Sequence, residues 1–311
     1  MIQLPPLRAF LQSLPAETPH TSMLRQRFNA LQIDPASSLY AKAALIVRAI
    51  DGLFATYGSL ERHHAEWIQG WVLESLGQPE FKQMARIVFQ SWATPERLEG
   101  PGIPHIHTAN NAIGAAIVTY AEGIQRRISL LDLGTGTLGT ISRICTKLEP
   151  AGITTHICGV EFTPALLAIA RERAAQINQQ SDTIQIAIID AEFADYLDHL
   201  EPASIDYITC SYALHHLHPI DQLATIANAY RCLKPGGAFL LADPQEGKSD
   251  FNLKVLLREE PEAVFAIFSS PERMRGWLVD VGFTPVELLV RDDEGYTGYV
   301  VAARKPREHT A

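Results

Sequence analysis

Two short segments of this 311-residue chain concentrate groups that can do chemistry. The first is Asp132-Leu133-Gly134-Thr135-Gly136-Thr137-Leu138-Gly139, whose glycines let the backbone turn tightly and bring its N–H groups against a ligand. The second is Ser211-Tyr212-Ala213-Leu214-His215-His216-Leu217-His218, which offers a phenol and a cluster of imidazoles. A histidine titrating near neutral pH is the natural base for a hydroxyl, an activated carbon or a protonated amine. Tyr212, His215 and His216 are therefore the candidate catalytic residues, although a His pair here also suits the plain role of capping and packing a loop.

The glycine spacing alone serves several ligands, dinucleotides among them, and serves close packing of a helix on a sheet equally well. Its neighbours narrow the choice. Glu161 follows about twenty residues on, at the end of a short apolar run, where a carboxylate can accept hydrogen bonds from both hydroxyls of a ribose. Asp190 ends the next such run. Either acid taken singly can be a helix N-cap. Placed together at the carboxyl ends of successive strands, they face the crevice where open α/β sheets bind ligands. Asp132, directly before the glycines, suits a positively charged ligand and would repel a pyrophosphate, which argues against NAD. No G-x-x-x-x-G-K-S/T loop for nucleoside triphosphates occurs.

The elements that must position these residues change character near residue 125. From Thr21 to Ile124 apolar residues recur at helical spacing, as in Ile46, Ile50, Leu53, Phe54 and Tyr57, and the last helix is expected over Thr108–Ile124. After Gln125-Arg126-Arg127, short runs of Ile, Val and Leu alternate with helical stretches, the pattern of a parallel sheet. Strands are expected at Ile128–Leu133, Thr155–Glu161, Ile184–Asp190, Ile205–Ser211 and Ala238–Asp243, with helices starting near Thr137, Pro164, Ala191 and Pro219. Val286–Arg291 and Thr297–Arg304 flank Asp292-Asp293-Glu294-Gly295, a loop short enough to join antiparallel neighbours. The fold class expected is α/β: a seven-stranded, mostly parallel, doubly wound sheet with an antiparallel last strand, preceded by an all-helical domain. The domains are expected at 1–125 and 126–311, with an insertion at 245–275.

The chain resembles the class I S-adenosyl-methionine-dependent methyltransferases. The resemblance is carried, in order, by Leu131-Asp132-Leu133-Gly134-Thr135-Gly136, Gly159-Val160-Glu161, Ile189-Asp190-Ala191, Ile205-Asp206-Tyr207, Leu233-Lys234-Pro235-Gly236-Gly237 and Val281-Gly282-Phe283. It spans about Ile128 to Pro306 and does not reach the first hundred or so residues. It implies S-adenosyl-methionine as the methyl donor: Asp132, Gly134, Thr135 and Gly136 hold the methionine moiety, Glu161 the ribose, and Asp190 with Ala191 the adenine. Phe162 and Ser211 complete the expected cofactor-binding set. Many members carry glycine where this chain has Leu138, a departure that bears on the path of the loop.

Asp243, which ends the fifth apolar run, can bind substrate, orient a base or form a turn before Pro244. His105, His107, Asn110 and Asn111 can close over the cofactor or serve structure alone. Trp67, Trp71, Trp92, Phe251, Phe265 and Phe268 can line an acceptor pocket built by the helical domain and the 245–275 insertion, or simply pack helices.

With 47% hydrophobic and 20% charged residues the chain is an ordinary globular one, and its net charge of −9 without a basic run argues against nucleic acid and anionic membranes. The 4 cysteines lack C-x-x-C spacing, and no metal-ligand pattern emerges. Without a signal peptide or a long apolar segment the expectation is a cytoplasmic enzyme. Its acceptor is expected to be a small, fairly apolar molecule, methylated on oxygen, nitrogen or carbon and belonging to specialised-metabolite biosynthesis. A protein or peptide methyltransferase and a non-catalytic cofactor-binding scaffold are the alternatives, and a homodimer through the helical domain is possible.

Overall fold

The computed structural model describes residues 14–15, 17–34, 36–57, 62–94, 98, 104–121, 127–244, 265–291 and 298–307. Its contacts divide them into two compact units. One holds the described residues of Met1–Trp92, His216–His218 and Ser249–Ile267, and the other those of Ala93–His215, Pro219–Lys248 and Phe268–Ala311.

The first unit is helical. Helix α1 (Pro19–Ala30) starts at a capping box in which Thr18 and Thr21 satisfy each other's backbone N–H groups, with Pro19 in the first turn where it needs no donor. Helix α2 (Ser38–Tyr57) buries Ala43, Ile46, Val47, Ile50 and Leu53 completely, as the helical spacing of these residues requires. Helices α3 (Arg62–Ser75) and α4 (Gln78–Trp92) follow. Leu24, Phe28, Phe81 and Met84 are also fully buried, and Phe28 meets Tyr40 edge to face at 5.2 Å.

Helix α5 (Pro104–Ala121) belongs with the sheet. Ala109, Ile113, Ile117 and Ala121 form a stripe at four-residue spacing, each no more than 2% exposed, within the core cluster that includes Ile128, Leu130, Ile141 and Ile144. A division at residue 125 assigns α5 to the helical domain; this stripe is the physical reason that its contacts place it in the second unit.

Strands β1 (Ile128–Leu133), β2 (Thr155–Glu161), β3 (Ile184–Asp190), β4 (Ile205–Ser211), β5 (Leu233–Pro244), β6 (Val286–Arg291) and β7 (Gly298–Arg304) form one seven-stranded sheet in the order β3-β2-β1-β4-β5-β7-β6. Strands β1 to β5 run parallel, and β7 lies antiparallel between β5 and β6. Helices α6 (Gly139–Leu148), α7 (Pro164–Gln180), α8 (Phe193–Asp198), α9 (Pro219–Cys232) and α10 (Pro271–Val281) occupy the connections. Central strands β4, β5 and β7 are buried almost continuously because both faces are covered, whereas edge strand β3 alternates buried with exposed over its first half. Strand β5 begins at Leu233 rather than Ala238, because Leu233 already pairs with Ile205. Among the described residues no helix is long and apolar enough to cross a membrane.

Of the insertion at 245–275, residues 245–264, Phe251 among them, lie outside the described part, as do the side chains of Trp67, Trp92 and His105. Phe265 is 1% exposed and packs edge to face on Phe81, 6.3 Å away, within the helical unit.

Because the α5 stripe is sealed against the sheet core, Ile113→Ala should lower stability by about 2–5 kcal/mol. Urea unfolding should show an unchanged slope and a lower midpoint.

Candidate active site

The loop from Asp132 to Gly139 alternates handedness: Gly134, Gly136 and Leu138 have φ of 70°, 58° and 76°. This is why α6 starts at Gly139, two residues after the expected Thr137. Glycine is required at 134, where an added Cβ would lie 2.5 Å from the Ala213 Cβ. Among the described residues a Cβ at Gly136 would meet nothing nearer than Leu98 Cδ1 at 3.9 Å, so the backbone here can form the floor of a cradle. Leu138 is in the left-handed conformation and fully buried, in the core cluster that includes Ile141 and Ile144. The strain of that φ, about 1–2 kcal/mol, is offset by burial of the side chain, worth about 1.5–3 kcal/mol.

Asp132 is 1% exposed. Thr209 Oγ1 donates to its Oδ1 at 2.5 Å and Thr135 Oγ1 to its Oδ2 at 2.7 Å. Burial pushes its carboxyl up to about 6; these two hydroxyls oppose the rise, and the negative charge of Glu161 adds to it. Glu161, 2% exposed, accepts the backbone N–H of Gly136 at 2.9 Å on Oε2, and those of Phe162 at 2.9 Å and Thr163 at 2.8 Å on Oε1. Asp190 pairs in register with Glu161 at the end of β3, exposed and 3.9 Å from Arg171. The Ala191 N–H donates to the Glu161 carbonyl. Asp132, Gly134, Thr135, Gly136, Glu161, Phe162, Asp190 and Ala191 thus converge on the ends of β1, β2 and β3. Two buried carboxylates beside a glycine-lined cradle fit the cationic amino and sulfonium groups and the ribose of S-adenosyl-methionine, and disfavour a phosphate.

Beyond β4, Ser211 Oγ donates to Asn110 Oδ1 at 2.7 Å, and Tyr212 takes a left-handed φ of 54°. A short 3-10 turn, Leu214–His216, then parts the two adjacent histidines. His215 is buried, with Nδ1 2.6 Å from Asp243 Oδ1 and its ring 5.2 Å from Phe268. His216 packs on Phe89 at 4.8 Å and His218 on Phe81 at 5.4 Å, which groups both with the helical unit. Burial pushes His215 down to about 3 and the Asp243 carboxyl well above its usual range, the latter opposed by the His215 backbone N–H. The imidazole is therefore neutral at neutral pH. Among the described residues no three His, Cys, Asp or Glu side chains gather as metal ligands.

Sequence reasoning had no signal for Thr209, whose hydroxyl reaches Asp132 across neighbouring strands, and left Asp243 between several roles. His107 Nδ1 lies 2.7 Å from Arg143 Nη2, and Asn111 is exposed.

Residues 131–239 match the family described as a methyltransferase domain. Over 182 residues the chain is 26% identical to the lovastatin diketide synthase mokB of Monascus pilosus, an alignment covering 57% of this chain and 7% of that protein. Over 116 residues it is 31% identical to the ubiquinone/menaquinone biosynthesis C-methyltransferase UbiE of Brucella anthropi, covering 37% of this chain and 40% of that protein. The chain thus spans well under half the length of both curated relatives. Among solved structures, the CurJ carbon methyltransferase shares the fold over 96% of either chain, with a TM-score of 0.57 at 16% identity. Fold and family match agree: residues 131–239 lie in a methyltransferase domain of class I, Rossmann-like fold.

Asp132 has a folded-state pKa raised above the unfolded one, so its contribution to stability is fully present below about pH 4 and is lost as the pH rises through about 6. Without cofactor, Asp132→Asn should therefore be more stable than wild type near pH 7.5, by about 3 kcal/mol, with the difference vanishing near pH 4. Thermal melts across that range measure it. Gly134→Ala should cost about 2 kcal/mol or more through the Ala213 clash and the left-handed φ, and Ala213→Gly in the same chain should restore part of the loss.

Proposed function

We propose that this chain methylates a carbon acidified by a neighbouring carbonyl or phenol in a small, mostly apolar acceptor, as a step in specialised-metabolite biosynthesis. The observation that carries this reading is the buried contact of His215 Nδ1, just after β4, with Asp243 Oδ1, at the end of β5, at 2.6 Å. Such a pair is what abstraction of a proton requires: an imidazole as base and a carboxylate that orients it.

S-adenosyl-methionine, when bound, supplies an electrophilic methyl group and departs as the neutral thioether. Asp132, the glycine loop and Glu161 hold its amino-acid and ribose parts, with Phe162, Asp190, Ala191 and Ser211 around them. With Nδ1–H donated to Asp243, His215 carries its lone pair on Nε2 and takes the proton from the acceptor carbon, which becomes the nucleophile. Burial alone would leave this imidazole a weak base. Burial likewise raises the Asp243 carboxyl, opposed only in part by the His215 backbone N–H; the active form is the fraction of the pair with Asp243 ionised, in which the carboxylate stabilises the imidazolium formed on proton transfer. Phe268, beside the His215 ring, gives the acceptor side an apolar surface. His216 and Tyr212 carry no part of the proton transfer in this reading.

A hydroxyl acceptor would call on the same base. Carbon is favoured because the relatives include a C-methyltransferase and a diketide synthase.

Incubation of the protein with S-adenosyl-methionine and either a β-keto thioester or a simple alcohol of matched size decides between them. A new C–CH₃ signal by NMR with the first alone is expected; methyl appearing only on oxygen or nitrogen would sink the reading. His215→Ala should lower kcat by about 10²–10⁴-fold while leaving donor affinity within twofold. Asp243→Asn should lower kcat by at least about tenfold, because an amide can neither fix that tautomer nor stabilise the cation. His216→Ala should retain activity.

A further inference from the structure

Asn110 lies in the second turn of α5, outside the segment that matches the methyltransferase family. It is 2% exposed, and its Oδ1 accepts two hydroxyl donors, Ser211 Oγ at 2.7 Å and Thr140 Oγ1 at 3.1 Å. A carbonyl oxygen has two lone pairs, so with the amide oriented this way the two hydroxyl donors fill it. Its Nδ2 bonds no group among the described residues and is not among the polar atoms sealed from solvent. A buried side chain thus has both its N–H donors uncommitted among the described residues, available to a ligand.

The two hydroxyls tell where that partner sits. Ser211 ends β4, and Thr140 is in the first turn of α6, directly after the glycine loop. Strands β1 and β4 are neighbours at the point where the strand order reverses, the crevice in which open α/β sheets bind ligands. Leu138 caps α6 without any side-chain bond, so the positive end of the helix also faces this place. An amide N–H beside a helix N-terminus selects an anionic oxygen.

We propose that Asn110 donates its Nδ2–H to the carboxylate of the methyl donor's amino-acid end, opposite in sign to the groups that Asp132 attracts. This assignment rests on the methyl-donor reading above and extends the donor site to a helix that precedes the matched domain. Asn110 is then a donor-selecting residue: it distinguishes S-adenosyl-methionine from the otherwise identical cation lacking the carboxylate.

Calorimetric titration of wild type, Asn110→Ala and Asn110→Asp with S-adenosyl-methionine and with its decarboxylated form tests this. Asn110→Ala should weaken S-adenosyl-methionine about ten- to hundredfold and leave the decarboxylated form within about twofold. Asn110→Asp, which sets like charge against the carboxylate, should reverse the preference. Equal losses for both forms, as a merely structural asparagine would give, or no loss for either, overturn the proposal. Failure of wild type to bind either form would instead sink the methyl-donor reading, and this proposal with it.

Discussion

Asp132 keeps a carboxylate at 1% exposure at the end of β1, and much of the surrounding construction is what that burial requires. A buried charge needs donors, and Thr209 and Thr135 supply one to each oxygen. Thr135 reaches it only by lying against β2, where a Cβ on Gly159 would stand 2.6 Å from its Oγ1. Gly159 is therefore part of the same requirement. The chain must next leave the strand without covering the cleft, and the left-handed turns at Gly134 and Gly136 accomplish this. Glu161 then holds the second of these glycines by its N–H.

The outcome is a pair of buried carboxyl groups, Asp132 and Glu161, with little solvent around them. Glu161 raises the Asp132 carboxyl further, and burial alone holds the Asp243 carboxyl, near the end of β5, well above its usual range. Such a site gains free energy from a cationic guest and loses it with a phosphate. This is the physical content of choosing a sulfonium over a dinucleotide, and the glycine spacing shared by both could not supply it.

Strands β1 to β4 were legible to the residue because covered parallel strands are continuous apolar runs, each ended here by a polar residue or by glycine-led turns. Asp132, Glu161 and Asp190 were legible for the same reason, as acids at the ends of such runs. What was not legible depends on the third dimension. Helix α5 carries helical periodicity like the helices before it, and nothing in that pattern says that its stripe faces a sheet. Leu138 marked a departure from the family, but only its burial explains why leucine is tolerated at a φ of 76°. Asn110 is one polar residue in an apolar helix until Ser211 and Thr140 are seen to face it.

The neighbouring histidines show how far a side-chain inventory falls short of a site. In sequence His215 and His216 are interchangeable bases. The strained Tyr212 and the 3-10 turn after it send them apart, so one meets Asp243 and the other an aromatic ring. The selection is made by the sheet, because Asp243 is at the end of β5 and only β4 separates β5 from β1. Two strand spacings, roughly 10 Å, therefore set the separation between Asp132 at the end of β1 and Asp243 at the end of β5. That span is fixed by backbone hydrogen bonding rather than by loops.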